Sequence, residues 1–357
     1  MLNSDIGSSL KIIIVTFIFS VLITPVMKRI AHHIGAIDIP RSDEGNRHIH
    51  KKPIPKLGGV GIFLAFLFGY MLFGGHSIKM NAILIGSFII VLTGMIDDIN
   101  DLKASRQLIA QLIAAAVVVL YGNIVLTDIT AFGIRIEFGM FSELVTILFI
   151  VGCINIINFT DGLDGLSGGV TSIFYITTAI ICFYQGRLGT LEMTITLLML
   201  GATLGFLVHN FYPAKIFAGQ CSMFMGYMIS IICLLGFKGT ALTSLFVPIL
   251  ILGLPIIDTL FAIIRRTLKG QPIFSADKFH FHHQLLGMNF SHRMTVIIIY
   301  LINGLFGLTS IFYVLGDPKK GLIIYIILTI IFIWFVCYTN IITEKKPPTP
   351  KFLNKKK

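Results

Sequence analysis

Residues 143–169 read ELVTILFIVGCINIINFTDGLDGLSGG. From Leu144 to Phe159 the run is apolar except for Thr146, Asn155 and Asn158. That length approaches the roughly 20 residues a helix needs to cross a bilayer. It then breaks into an acidic, glycine-rich loop. Asn155 and Asn158 lie three apart on one helical face, and Asn158 and Asp161 repeat the spacing. Buried amides at the end of a membrane helix need partners, and four glycines allow tight turns and close approach of a ligand. Carboxylate and amide oxygens suit a hard cation such as Mg²⁺.

The same alternation of apolar blocks and polar loops runs through the chain. Of its 357 residues 55% are hydrophobic and 13% charged, against about 25% charged in an average soluble domain. The blocks predict an all-α polytopic membrane protein with eleven helices, near 10–27, 58–75, 80–97, 106–121, 143–159, 166–184, 189–208, 222–237, 242–264, 294–315 and 321–340. They form one transmembrane domain over 1–340, followed by a basic tail over 341–357. The first block is a retained span, because Lys28 stands where a signal peptide would carry small residues. Residues 124–138, IVLTDITAFGIRIEF, alternate in polarity and predict a small β-hairpin. Five scattered cysteines exclude a disulfide framework and give no zinc spacing.

The formal charge of +11 concentrates in loops. With the N-terminus outside, 21 of the 28 Lys and Arg residues fall inside and 7 outside, as the positive-inside rule requires. The C-terminus is then cytoplasmic and the hairpin extracytoplasmic. Every loop rich in Asp, Asn, His and Gly falls on the cytoplasmic side. Loop location accounts for the charge, and no nucleic-acid-binding motif accompanies it.

Four more loops carry candidate chemistry. GMIDDINDLKASRQ (94–107) puts Asp97 and Asp98 at a helix C-terminus, where the macrodipole disfavours carboxylates by a few tenths to about 1 kcal/mol each; a basic group or cation would offset this. HNFYPAKIFAGQCSMFMG (209–226) offers aromatic faces beside Asn210 and Lys215, as a nucleobase pocket needs, although interfacial anchors look similar. In RRTLKGQPIFSADKFHFHH (265–283), His280, His282 and His283 join Arg266 and Lys278 as donors to a diphosphate. Their spacing differs from that of a zinc helix. RHIHKKPIPKLGG (47–59) is a basic run ending near Lys56, suited to anionic lipid or to substrate.

Together PIPKLGG, GMIDDINDL, NIINFTDGLDGLSGG, NFYPAKIFAG and DKFHFHH resemble, in family order, the polyprenyl-phosphate N-acetylhexosamine-1-phosphate transferases, over about residues 38–296. HFHH after PIFSADK resembles the UDP-N-acetylglucosamine branch. The resemblance implies Mg²⁺-dependent attack (Mn²⁺ substituting) of undecaprenyl phosphate on UDP-N-acetylglucosamine, with release of UMP. Such a step opens synthesis of a cell-wall polymer such as teichoic acid. It implies a plasma-membrane enzyme with its site on the cytoplasmic face, and a homodimer is an open expectation.

By motif, Asp97 and Asp98 position or deprotonate the acceptor, with Asp161 the third catalytic carboxylate. Asn158 and Asp161 lie at the metal, Asp164 near uridine, Asn210 and Phe217 at uracil. His280, His282 and His283 take the diphosphate or sugar, with Lys56 a further candidate. One position departs from the family pattern. Its GDxGS string carries a metal-binding Asp, whereas this chain has Gly219-Gln220-Cys221-Ser222, so Gln220 would supply a neutral oxygen. The departure implies weaker metal binding, in a slow enzyme, an inactive paralogue or an enzyme with a compensating ligand. The rival class is a transporter of a nucleotide-linked solute, which would place its polar site near midplane in repeated halves; neither feature is visible.

Overall fold

The computed structural model describes residues 2–39, 53–131, 134–236, 252–268 and 280–338, together with Ile249 and Gly270. Its helices are α1 (Leu2–Ile34), α2 (Gly58–Phe73), α3 (Ile78–Asn100), α4 (Ala104–Ala116), α5 (Ser142–Thr160), α6 (Leu166–Tyr184), α7 (Leu191–Asn210), α8 (Ser222–Gly236), α9 (Gly253–Leu268), α10 (Phe281–Gly287), α11 (His292–Leu315) and α12 (Pro318–Tyr338). Two small antiparallel pairs join them, β1 (Ile37–Asp38) with β2 (Ile54–Pro55) and β3 (Asp128–Ala131) with β4 (Ile134–Glu137). Among the described residues nine helical stretches are long and apolar enough to cross a membrane, and α2 is a shorter apolar helix. The chain is an integral membrane protein.

Burial explains how these helices sort. α8 is enclosed, with nearly every residue buried from Ser222 to Gly236, as expected of a helix apolar all round. α1 packs along α2 and α7, with Ser20 donating to Ala202 O at 2.7 Å. Its opposite stripe, Ile14, Ile18, Leu22, Val26 and Ile30, is exposed at four-residue spacing. Such an apolar stripe is a liability in water and suits hydrocarbon.

Predicted and observed elements differ at four places, the first being α10 (Phe281–Gly287), a two-turn helix too short to show as an apolar block. α1 runs beyond 10–27, because Lys28, Arg29, His32 and His33 extend it past the apolar block without breaking it. Hydropathy marks only the stretch in lipid. The ninth predicted helix, 242–264, is described only as α9, and its first half lies outside the described residues, as do Lys278 and the tail 341–357. The β1–β2 pair has no forewarning in sequence, since its strands are two residues long. The hairpin forms as expected, pairing Asp128 with Glu137 through Ala131 with Ile134.

Hydrogen bonds tie the polar helix ends to one another at one end of the bundle. The ends of α3, α5 and α7 meet there with the starts of α2, α6, α8 and α11. The loops of chemical interest are therefore neighbours.

Candidate active site

The acidic centre is built on the end of α3 and the turn before α8. Asp98 is 6% exposed, and both its oxygens accept the Gln220 N–H at 3.1 Å. Lys56, Asp97 and Asp161 are near enough to act on its charge. Lys56 is held there by backbone pairing of the two loops: Phe217 N–H donates to Pro55 O at 2.8 Å, and Gly58 N–H to Phe217 O at 2.8 Å. Its ammonium also lies 3.7 Å from Asp38. Asp97 lies beside Asp98, within reach of its charge. Its side chain accepts Leu102 N–H and fixes the turn that leaves α3.

Asp161 closes the centre from the end of α5. It accepts the Ser167 hydroxyl, and the single Ser222 hydroxyl proton lies between Asp161 and Asn158 Oδ1, the latter at 3.0 Å. The surrounding protein pushes its carboxyl up to about 6, although Asp161 keeps a partial opening to solvent. Desolvation is the leading cause and Asp164 adds to it, the two hydroxyls opposing. Asn155, a turn earlier, faces elsewhere and donates to Gln111 of α4 at 2.7 Å.

Asn210 and Asp164 turn out to be staples. Asn210 is 2% exposed; its Oδ1 accepts Gly165 N–H at 3.0 Å and its Nδ2 donates to Ile216 O at 2.9 Å. Asp164, equally buried, accepts Ala214 N–H at 2.9 Å. Its own N–H donates to His292 Nε2 at 3.0 Å. Oxygen and nitrogen of the Asn210 amide each make one bond to backbone, which fixes the orientation of the side chain. Phe217 is half-buried beside Lys56. We expect Asn210→Ala to strand the Gly165 and Ile216 backbone groups, at about 1–3 kcal/mol each. A clear drop in the detergent melting temperature checks this; an unchanged melting curve would contradict the stapling role.

The histidines form a shelf over the glycine loop. His280 and His282 stack with ring centroids 5.8 Å apart and planes within 2°, and Phe159 continues the stack beyond His280 at 6.4 Å. His282 abuts Gly162 with its Nε2–Cε1 edge: a β-carbon there would come 2.5 Å from Nε2. Burial, reinforced by His283, His280 and His292, holds the His282 imidazole well below the usual range. It is a neutral member of the shelf, and its buried Nε2 has no hydrogen-bond partner. Arg266 lies over the Phe159 ring at 5.8 Å, bringing a cation to the same edge.

Among the described residues no three His, Cys, Asp or Glu side chains are disposed to cage a metal by themselves. Mg²⁺ does not require a cage, since it keeps waters and takes one or two carboxylates together with substrate phosphates. Asp98 and Asp161 interact electrostatically, and Gln220 Oε1 is buried without a donor, a state costing about 1–3 kcal/mol. Asn158 adds a further amide oxygen beside them. Asp98, Asp161 and Asn158 are hard oxygen donors in one neighbourhood, and they fit a divalent cation shared with phosphate.

A family model described as glycosyl transferase family 4 matches residues 80–237. A Bacillus subtilis protein named as a probable undecaprenyl-phosphate N-acetylglucosaminyl 1-phosphate transferase is 42% identical over 350 residues, covering 95% of this chain and 96% of its own. The chain belongs to glycosyl transferase family 4. A decaprenyl-phosphate N-acetylglucosaminephosphotransferase of Mycobacterium tuberculosis is 32% identical, over 82% of this chain and 79% of its own. A phospho-N-acetylmuramoyl-pentapeptide-transferase of Thermotoga neapolitana is 31% identical, over 84% and 99%.

Within this family 4 chain four site residues escaped the reading of sequence. Ser167 and Ser222 bind Asp161, His292 braces Asp164, and Asp258 of α9 binds His280. Only Asp258 carried a signal, as a carboxylate inside an apolar helix.

Proposed function

We propose that this protein transfers N-acetylglucosamine 1-phosphate from UDP-N-acetylglucosamine to undecaprenyl phosphate. A phosphate oxygen of the acceptor bonds to the β-phosphorus. The bond from that phosphorus to the bridging oxygen breaks, and the oxygen leaves on the α-phosphate as UMP. The observation that carries the reading is the meeting of Asp98 and Asp161 beside a histidine shelf on Gly162, at the polar end of a lipid-facing bundle. Relatives that bear the name of this reaction support it.

Lys56 and the Gln220 N–H hold Asp98 toward the acceptor phosphate, where it orients that group or takes its proton. Asp161, with Asn158, would hold Mg²⁺ or Mn²⁺ along with Gln220. When bound, the cation supplies charge neutralisation on the phosphates as the leaving oxygen becomes negative. His280 and His283 donate to the diphosphate while neutral His282 supports them. An apolar recess along α5 and α9, lined by Phe149, Gly152, Ile156 and Ile256, suits the first isoprene units of the acceptor. Phe217 offers its face to the base. Gln220 replaces a carboxylate with an amide, so the metal requirement should exceed that of a site with Asp there.

The protein works at the plasma membrane with eleven spans, its N-terminus outside and its site facing the cytoplasm, at the first committed step of a cell-wall polymer. A cysteine at exposed Arg135 in the hairpin should react with a membrane-impermeant thiol reagent in intact cells. One at exposed Lys103 should react only after permeabilisation. The reverse pattern would invert the orientation. The reaction itself is tested with purified protein in detergent: UMP should appear only when UDP-sugar, polyprenyl phosphate and divalent metal are all present. UMP formed equally without the lipid would sink the transferase reading.

A further inference from the structure

His280 is not placed by its own short helix. It is placed by Asp258, which lies 22 residues earlier on α9. One Asp258 oxygen receives the His280 Nδ1–H at 3.1 Å, and the other receives the Phe281 N–H at 2.9 Å. The pair is nearly dry, with side-chain exposures of 8% for His280 and 15% for Asp258. A carboxylate on Nδ1 fixes the ring's tautomer and leaves Nε2 for other contacts. The second bond fixes the backbone from which the ring projects, so both the position and the rotation of the imidazole are set. The parallel stack of His280 on His282, and the contact of His282 with Gly162, follow from that placement. A carboxylate among the apolar residues of α9 needs such partners; Leu254 and Ala262 pack in the core, and Arg266 in the last turn lies over Phe159.

We propose that Asp258 is a positioning residue, acting through His280 to aim the histidine shelf at the diphosphate of the sugar donor. This rests on the transferase reading above. Aiming matters most where charge develops, so its loss falls on kcat more than on the KM for the sugar nucleotide.

The test is a double-mutant cycle on the full-length protein in detergent, read as UMP release. Asp258→Asn keeps the volume but offers one acceptor in place of two. It should lower kcat about tenfold or more, with KM changed less than about threefold. In a His280→Ala background the same substitution should have no further effect, because its route of action is gone. Asp258→Glu should restore part of kcat, and only when His280 is present. Recovery of each variant as monodisperse protein with an unchanged melting curve excludes simple misfolding; if Asp258→Asn cannot be recovered, Asp258→Glu carries the same cycle. Full activity of Asp258→Asn overturns the proposal, as does multiplication of the two losses in the double variant. If the unsubstituted protein releases no UMP, the transferase reading fails and this inference falls with it. If that protein turns over and the cycle is additive, only the inference fails.

Discussion

Asp161→Asn should cut UMP release by at least about a hundredfold, a rise of roughly 2.7 kcal/mol in the barrier, and Asp98→Asn should do the same. Both substitutions keep shape and remove charge. Asp161 sits beneath the ends of α5, α6 and α8, where burial already pushes its carboxyl up to about 6; it is poorly compensated by protein alone. Two serine hydroxyls cannot supply what a cation would. Asp98 has Lys56 nearby and one backbone N–H shared between its oxygens, which fixes its direction without neutralising it. The informative contrast is Asp164→Asn. That side chain accepts Ala214 N–H and braces His292, so its loss should lower the melting temperature before it changes the chemistry. Initial rates at equal concentrations of folded protein check all three. Near-normal turnover in both Asp161→Asn and Asp98→Asn would move the chemistry elsewhere.

Gly219→Ala should be nearly as damaging, for a steric reason. Gly219 has φ +68, a left-handed conformation that costs a non-glycine residue roughly 1–2 kcal/mol. A β-carbon there would also collide with Asp98 Oδ2, so the carboxylate must move. We expect at least about a thirtyfold loss of kcat from that displacement. Gly186 is the control. It has a similar φ of +70, and a β-carbon added to it would meet nothing within 4 Å, so Gly186→Ala carries the backbone strain without a collision. Its turnover should stay within about twofold. Equal losses in both variants would mean that strain alone is responsible, and that the Gly219–Asp98 contact has no part in catalysis.

The spans were legible because lipid imposes one rule on every helix, a long apolar run, and α5 and α6 end within a residue or two of where the sequence turns polar. The acidic motifs were legible for a related reason: carboxylates and amides at the ends of such runs are costly unless used. What the sequence did not disclose was how each polar group is engaged. Nothing in one dimension shows that Asn210 and Asp164 also join loops 45 to 50 residues apart. The same blindness hid Ser222, whose hydroxyl reaches back 64 residues to Asn158, and Asp258, whose partner is on another helix. Gln220 shows the opposite case. Read as a string, it was a missing carboxylate; in the fold its backbone holds Asp98 while its side-chain oxygen stays buried and unmatched.

The most direct measurement of the central claim identifies both products of a single reaction mixture by mass. Purified protein, UDP-N-acetylglucosamine, undecaprenyl phosphate and Mg²⁺ should yield UMP and undecaprenyl diphosphate-N-acetylglucosamine in equal amounts, because the bond broken lies between the two phosphates. UDP together with a lipid carrying a single phosphate would mean that the sugar alone is transferred. That outcome would contradict the account, since Asp98, Asp161 and the histidine shelf would then be assigned to the wrong bond.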